Sequence, residues 1–397
     1  MRDVLVIGGG IMGCSTAYYL ARAGRKVTLI DRGGIGEGTS GACDGMVFLQ
    51  TKKPGLPLRM AMRSADIYEG LASELGYETQ FERCGGMIPI ETEEMRRVME
   101  PVVAAQIRDG MDVEFLDNAG MRKIEPLFAS DLAGAVYSKL DGITSPIYTT
   151  RAFAKRLREL GGEIVTHAEV TAVHVSDGAV KGVSTTAGEF TAGTVVLCTG
   201  VWTKAVGRMA GLEIPIRPRR GHLLVSEAVE KILHVVVTDA RYIATKHDPS
   251  LIEKSTDPTM HLGVSLSFEQ TENGNFLIGS NREFAGFNLN PSYDIVNAIS
   301  QYSSRFVPAL AGVNIIRIFV GMRPYCEDGY PVVGPVPGIA GLYVAAGHEG
   351  DGIALAPVTG EVMADLVCGK TPEFDVSPFS PGRFTSVKPD QSGKEGV

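Results

Sequence analysis

Residues 4–24 read VLVIGGGIMGCSTAYYLARAG, and the glycines at the centre leave this stretch few ways to fold. The run Val4–Ile7 is short and rich in β-branched residues, which suits a strand buried in a parallel sheet. Gly8, Gly10 and Gly13 follow in GxGxxG spacing. In that pattern the first glycine makes a tight turn, the second lets the backbone approach a pyrophosphate, and the third lets the next helix pack on the strand. The diphosphate would sit at the N-terminus of that helix, beside Ile11 and Met12, where free N–H groups and the helix dipole favour negative charge. RKVTLIDR is the second strand, and Asp31 ends it 18 residues past Gly13, next to Arg32. An acid there accepts hydrogen bonds from an adenosine ribose. Strand, helix and acid at these spacings predict a dinucleotide site; a glycine-rich turn with a capping aspartate would not account for all of them.

GxGxxG alone does not separate NAD from FAD. The segment GGIGEGTSGACDGM, residues 33–46, is a second small-residue loop whose Thr39 and Ser40 can reach the same diphosphate, with Cys43, Gly45 and Met46 following. The longer reach of FAD accounts for a second clamp of this kind. The net charge of -8, with no cluster of Lys and Arg among aromatics, excludes a nucleic-acid footprint. Cys14, Cys43, Cys84, Cys198, Cys326 and Cys368 show no ligand spacing, so the expectation is reduced thiols without a metal or iron–sulfur cluster. No basic segment precedes the first strand and no apolar run reaches the ~20 residues of a membrane span, which predicts a cytoplasmic protein. From Phe374 the sequence turns polar and reads as a loose tail, 374–397.

Four motifs in order resemble the D-amino-acid oxidase family of flavoproteins from Val4 to about Leu366. They are GGGIMG with LIDR; TSGACDGM; VVLCTGVWT (195–203) with PIRPRRGHLLV (215–225); and GMRPYCEDGYPVVG followed by GLYVAAGHEGDGIALAPVTGEVMADLV. The family includes glycine oxidase, sarcosine oxidases and catalytic subunits of proline, hydroxyproline and opine dehydrogenases. The resemblance implies an α/β plus α+β fold: a Rossmann-like FAD-binding domain with an inserted, mainly antiparallel-sheet substrate domain. The expected pieces are 1–82, 147–216 and 320–373 for the FAD domain, and 83–146 and 217–319 for the substrate domain. Within these, RAFAKRLRELG (151–161) has helical spacing, whereas HLGVSLSFEQT and NFLIGSNREF read as strands around the hairpin-like ENGN.

The resemblance also implies roles. Val170 aligns with the position whose main chain meets the adenine, and Thr199, Gly200 and Trp202 lie where the chain returns to the cofactor. The helix beginning near Gly350, Asp351, Gly352 and Ile353, after Gly347 and His348, would point its N-terminus at the flavin. Arg323 aligns with the arginine that binds the substrate carboxylate, although an ion pair with Glu327 or Asp328 is the competing reading. Tyr242 falls near the same carboxylate or is an ordinary strand tyrosine. Arg282 lines the pocket, as a second carboxylate ligand or a strand-end cap. His348 is expected to pack and hydrogen-bond beside the flavin rather than act as a base. Subfamilies with covalent flavin carry Cys where this chain has Gly321, which implies noncovalent FAD.

The implied activity is oxidation of the C–N bond of a small amino or imino acid by hydride transfer to flavin N5, giving an imine. A D-amino acid or a cyclic imino acid such as hydroxyproline is favoured. Electrons leave to dioxygen or to an electron-accepting partner subunit, so a homo- or hetero-oligomer is compatible with the sequence. The alternatives are the catalytic subunit of an amino-acid or opine dehydrogenase that reacts poorly with oxygen, and a non-catalytic flavin-binding assembly protein.

Overall fold

In the computed structural model, which describes residues 3–248 and 250–384, the strand Val4–Ile7 lies inside a six-stranded sheet with all four side chains buried. Val27–Ile30 and Val195–Leu197 flank it in parallel, and Glu163–Val165 and Leu342–Ala346 extend the sheet in the same direction. Val332–Pro335 closes one edge antiparallel. Burial on both faces explains the uninterrupted apolar runs of the inner strands. Gly8 holds a φ of 111°, a conformation that a Cβ disfavours, and a Cβ there would also strike the Cys198 carbonyl. At Gly13 a Cβ would strike the carbonyl of Gly8, so this glycine sets how closely helix Ile11–Arg22 returns over its own strand.

That helix packs against Pro146–Glu159 and Gly352–Val367. At Gly360 the two helices lie close: a Cβ on it would strike Ser15 Oγ and stand 2.6 Å from the Tyr19 ring. Ser15 Oγ in turn donates to the Ala356 carbonyl at 2.8 Å.

A second sheet has eight strands, mainly antiparallel, with Val236–Thr238 and Gly86–Ile90 running parallel. Its longest pair is Ile216–Ala228 with Ile315–Cys326, in a register that sets Arg219 opposite Arg323 and Gly221 opposite Gly321. The boundaries drawn at 216/217 and 319/320 fall at the start of the first of these strands and inside the second, both of which belong to the eight-stranded sheet. The ENGN segment, 272–275, makes the turn between Ser267–Gln270 and Asn275–Gly279 and supplies the first residue of the second strand.

Three readings change. HLGVSLSFEQT is strand only from Ser267; Pro258–His261 before it is a short helix capped by Asp257. TDARYIATKH is not a strand but the helix Ala240–His247, because the Asp239 carboxylate accepts the Tyr242 N–H at 2.9 Å and fixes the first turn. Residues 374–384 are not loose: Phe379 is buried, and Arg383 bonds to Asp328 and to the Phe379 and Tyr330 carbonyls. Composition alone missed this because one aromatic and one forked cation suffice to dock a polar segment. Residues 385–397 of the expected tail lie outside the described residues.

Replacing Gly360 with Val is expected to lower the unfolding free energy by about 1–3 kcal/mol by overpacking this helix crossing. Urea denaturation measures it, and an unchanged midpoint would contradict the packing.

Candidate active site

One elongated cavity, about 480 Å³, runs from the first sheet to the long strand pair. Gly8, Gly10, Ile11 and Met12 form its floor; Asp31, Arg32 and Val170 close one end. Thr39, Ser40, Cys43 and Met46 line it from the second loop, and Thr199, Gly200 and Trp202 from the turn after Leu197. Gly321 and Arg323, with Gly347, His348, Gly350, Gly352 and Ile353, make the other end. Five expected residues are not on this wall. Gly13 is packed under the Gly8 turn; Gly45 is pressed against the Thr144 carbonyl with its N–H donated to Glu269; Asp351 turns to two lysines. Tyr242, with its hydroxyl beside Gly350, and Arg282, across the Tyr242 ring, lie off the wall.

At the dinucleotide end the Asp31 carboxylate accepts the N–H groups of Gly9 at 2.6 Å and Gly33 at 2.7 Å, tying the two glycine loops together. A carboxylate has about four acceptor positions, so two remain for ribose hydroxyls. Thr39 gives its proton to the Met322 carbonyl at 2.6 Å, whereas Ser40 Oγ accepts the Ile11 N–H at 2.9 Å and keeps its own proton for an anion. A Cβ on Gly10 would meet nothing but Ser40 Oγ, at 3.2 Å, so its cavity side is open for a pyrophosphate. Arg32 stacks 4.0 Å above Trp202 beside this space. The donor set is N–H and hydroxyl, and the described residues contain no group of three potential metal ligands. The site fits a dinucleotide flavin.

At the other end the Arg323 guanidinium lies over Gly221, whose missing Cβ makes the space for it. Its Nη1 donates to the Asn281 carbonyl at 3.0 Å and its Nη2 to Ser280 Oγ at 2.6 Å. Neither neighbouring acid is its partner: Glu327 pairs with Arg217 and Asp328 with Arg383. Among the described residues Arg323 makes no ion pair. Tyr242 points its hydroxyl to 3.3 Å from where a Cβ on Gly350 would stand, and the Arg323 Cδ and Nε lie 3.8 Å from that point. Arg282 lies across the Tyr242 ring at 4.3 Å. His348 is buried, its Nε2 3.3 Å from Thr359 Oγ1, and burial lowers its pKa to about 4, so the ring is neutral near pH 7.

Several charged groups here escaped the sequence reading. Lys52 is 2% exposed and pairs with Asp351 at 2.9 Å; Lys246 pairs with the same carboxylate at 3.0 Å. Burial alone would raise Asp351, but Lys246 and then Lys52 overcome it and hold the carboxyl at about 2. This triad sits at the start of helix Gly352–Val367. Glu349 adopts a φ of 49° and pairs with Arg219 at 2.8 Å. Asp44, on the cavity wall, accepts from Ser267 Oγ at 3.3 Å, and beside it burial and then Asp44's charge push buried Glu269 well above the usual carboxylate range. Lys52 and Lys246 had no local signal, because a lysine in a polar loop or short helix reads as solvated.

A Rossmann-like sheet, a glycine-lined dinucleotide cavity and an antiparallel sheet closing over one end define a flavin-dependent oxidoreductase. Residues 3–366 match the family described as FAD dependent oxidoreductase (DAO), and the chain belongs to it. It is 30% identical over 429 residues to hydrogen cyanide synthase subunit HcnC of Pseudomonas protegens, covering 97% of both chains. It is also 30% identical over 389 residues to glycine oxidase of Geobacillus kaustophilus, covering 95% of this chain and 96% of that one. The crystal structure of L-proline dehydrogenase from P. horikoshii superimposes with a TM-score of 0.86 at 26% identity, over 96% of this chain and 97% of the other. No helix among the described residues is long and apolar enough to cross a membrane.

Asp351→Asn would leave two buried ammonium groups without their counter-charge and is expected to cost about 3–5 kcal/mol. Because the folded pKa is depressed from 3.8 to about 2, the stabilisation is complete above the unfolded value and is lost as pH falls through about 2. Thermal melting from pH 7 to pH 2 checks both points: the gap between wild type and variant is widest at neutral pH and narrows in acid.

Proposed function

We propose that this chain oxidises the C–N bond of a small amino or imino acid, with a D-amino acid or a cyclic imino acid such as hydroxyproline favoured. The observation that carries this reading is Arg323: a cation on the cavity wall, held by two neutral acceptors and paired with no carboxylate among the described residues. Two of its five N–H groups are used, and the rest are free for a substrate carboxylate, which a guanidinium binds with two parallel hydrogen bonds. Tyr242, flanking the same Gly350, is the second ligand.

FAD, held by the Gly8–Met12 turn, Asp31 and the loop with Thr39 and Ser40, would supply the hydride acceptor for the α-hydrogen, and water would hydrolyse the resulting imine. Orientation by Arg323 decides which face of Cα is presented. His348 stays neutral and positions rather than titrates. The N-terminus of helix Gly352–Val367, with Lys52 and Lys246 beside it, favours negative charge at that end of the cavity. The packing of Gly321 against the Ala42 carbonyl, where a Cβ would clash, supports noncovalent attachment. So do the thiols: burial pushes Cys198 up to about 12 and raises Cys43, so neither wall cysteine is a ready nucleophile, and Cys326, raised to about 12, is not on the wall.

A second reading, the catalytic subunit of a multi-subunit amino-acid or opine dehydrogenase with poor oxygen reactivity, is favoured by relatives named as a synthase subunit and as a dehydrogenase. A non-catalytic assembly role is opposed by the intact Arg323 and Tyr242.

Anaerobic bleaching of the bound flavin by D- and L-amino acids, N-methyl amino acids, hydroxyprolines and opines tests the function; bleaching by none of them would overturn it. Peroxide formation with any active compound separates oxidase from dehydrogenase. Arg323→Leu is expected to raise KM about a hundredfold or more with FAD still bound, and unchanged kinetics would remove its assigned role. His348→Gln is expected to keep the shape of the kcat/KM profile above pH 6, since the wild-type ring ionises near pH 4; loss of an ionisation near neutrality would make His348 the base.

A further inference from the structure

Arg282 carries a buried nitrogen with no partner. Its Nη2 is fixed by the Tyr242 carbonyl at 3.3 Å and by Thr245 Oγ1 at 2.7 Å, and its guanidinium lies 4.3 Å from the centre of the Tyr242 ring. The Nη1 atom, removed from solvent, makes no hydrogen bond. Buried donors are almost always satisfied, so a guanidinium nitrogen without a partner calls for an explanation.

The position of Arg282 says what ligand. It follows Ser280 and Asn281, the two residues whose oxygens hold Arg323, and it flanks the same Tyr242 whose hydroxyl reaches the Arg323 side chain across Gly350. Arg282 is not itself on the cavity wall: it sits across the ring of Tyr242, whose hydroxyl borders the wall residue Gly350, and is near enough to Arg323 for that charge to act on it. Among the described residues neither arginine makes an ion pair: Glu349 is bonded to Arg219, and Asp351 is shared by Lys52 and Lys246. Burial lowers the pKa of Arg282, and the charges of Arg219 and Arg323 add to that against the opposing influence of Tyr242 and Glu349. Like charges held close in a low-dielectric pocket repel until an anion is placed between them. A substrate with one carboxylate would satisfy Arg323 and leave Arg282 uncompensated.

We propose that Arg282 is the ligand for a second carboxylate, and that the substrate is a dianionic amino acid, its second carboxylate on the N-substituent or on the side chain. This deepens the amino-acid reading above and rests on it. The stem of Arg282 is fixed by Tyr242 and Thr245, so the group is pre-organised and loses little freedom on binding.

The test uses the full-length FAD-loaded protein and anaerobic flavin reduction by matched pairs that differ in one charge: iminodiacetate against N-ethylglycine, and both enantiomers of aspartate and glutamate against those of 2-aminobutyrate and norvaline. The dianion of at least one pair is expected to have the higher kcat/KM, and which pair it is tells whether the second carboxylate sits on nitrogen or on the side chain. Arg282→Met is expected to shrink that dianion-to-monoanion ratio about thirtyfold or more, with Arg282→Lys intermediate. A structural clamp on Tyr242 would lower both members of a pair and leave the ratio unmoved, which would overturn the proposal. So would equal turnover of dianion and monoanion by the wild type, a result that leaves the amino-acid reading intact; flavin reduction by no amino acid would remove both. Calorimetric binding of the inert dianions malonate, succinate and glutarate, against acetate, gives a readout independent of turnover: wild type binds a dianion more tightly and Arg282→Met loses that preference. A melting curve establishes that each variant is folded.

Discussion

Gly221 and Gly321 face each other across the two longest strands, and the absence of both side chains sets the geometry around them. At Gly321 the missing Cβ lets the Ala42 carbonyl come against the strand, so the loop of residues 39–46 is pinned to the second sheet, with Thr39 bonded to the Met322 carbonyl beside it. At Gly221 the missing Cβ is the seat of the Arg323 guanidinium. One glycine pair therefore joins the cofactor loop, the substrate sheet and the cation between them. Side chains here would separate the loops that clamp a dinucleotide from the group that anchors what reacts with it.

The charges around that seat are arranged by element. Asp351 collects Lys52 from the loop after the second clamp and Lys246 from the helix Ala240–His247, bringing three distant segments to one helix start. Arg219, opposite Arg323 on the neighbouring strand, is neutralised by Glu349 in the turn before that helix. What is left over is positive, on Arg323, on Arg282 and on the lysine pair that shares one carboxylate. In a buried site the desolvation cost of such charges is tolerated when an anion completes them, so the surplus is a description of the ligand as much as of the protein.

Much of this was legible in the sequence because the relevant rules are local. Val4–Ile7, the Gly8, Gly10 and Gly13 spacing and Asp31 lie within one βαβ unit, so periodicity and turn chemistry describe them directly. Arg323 was legible through its motif, but its competitors Glu327 and Asp328 could be dismissed only when the strand and turn sent them to Arg217 and Arg383. The buried lysine pair was not legible, since Lys52, Lys246 and Asp351 meet only through tertiary contacts. The helix bearing Tyr242 was missed because eight residues give too little periodicity, and its decisive feature is the Asp239 cap. Residues 374–384 were misread because packing of Phe379 outweighed a polar composition.

The most direct measurement is a crystal structure of the FAD-loaded protein soaked with glycolate, a small carboxylate with no C–N bond to oxidise. A carboxylate bound by the N–H groups that Arg323 has free, with the Ser280 and Asn281 contacts kept, is the predicted result. Glycolate elsewhere in the cavity, with Arg323 turned onto a protein carboxylate such as Asp44, would contradict it.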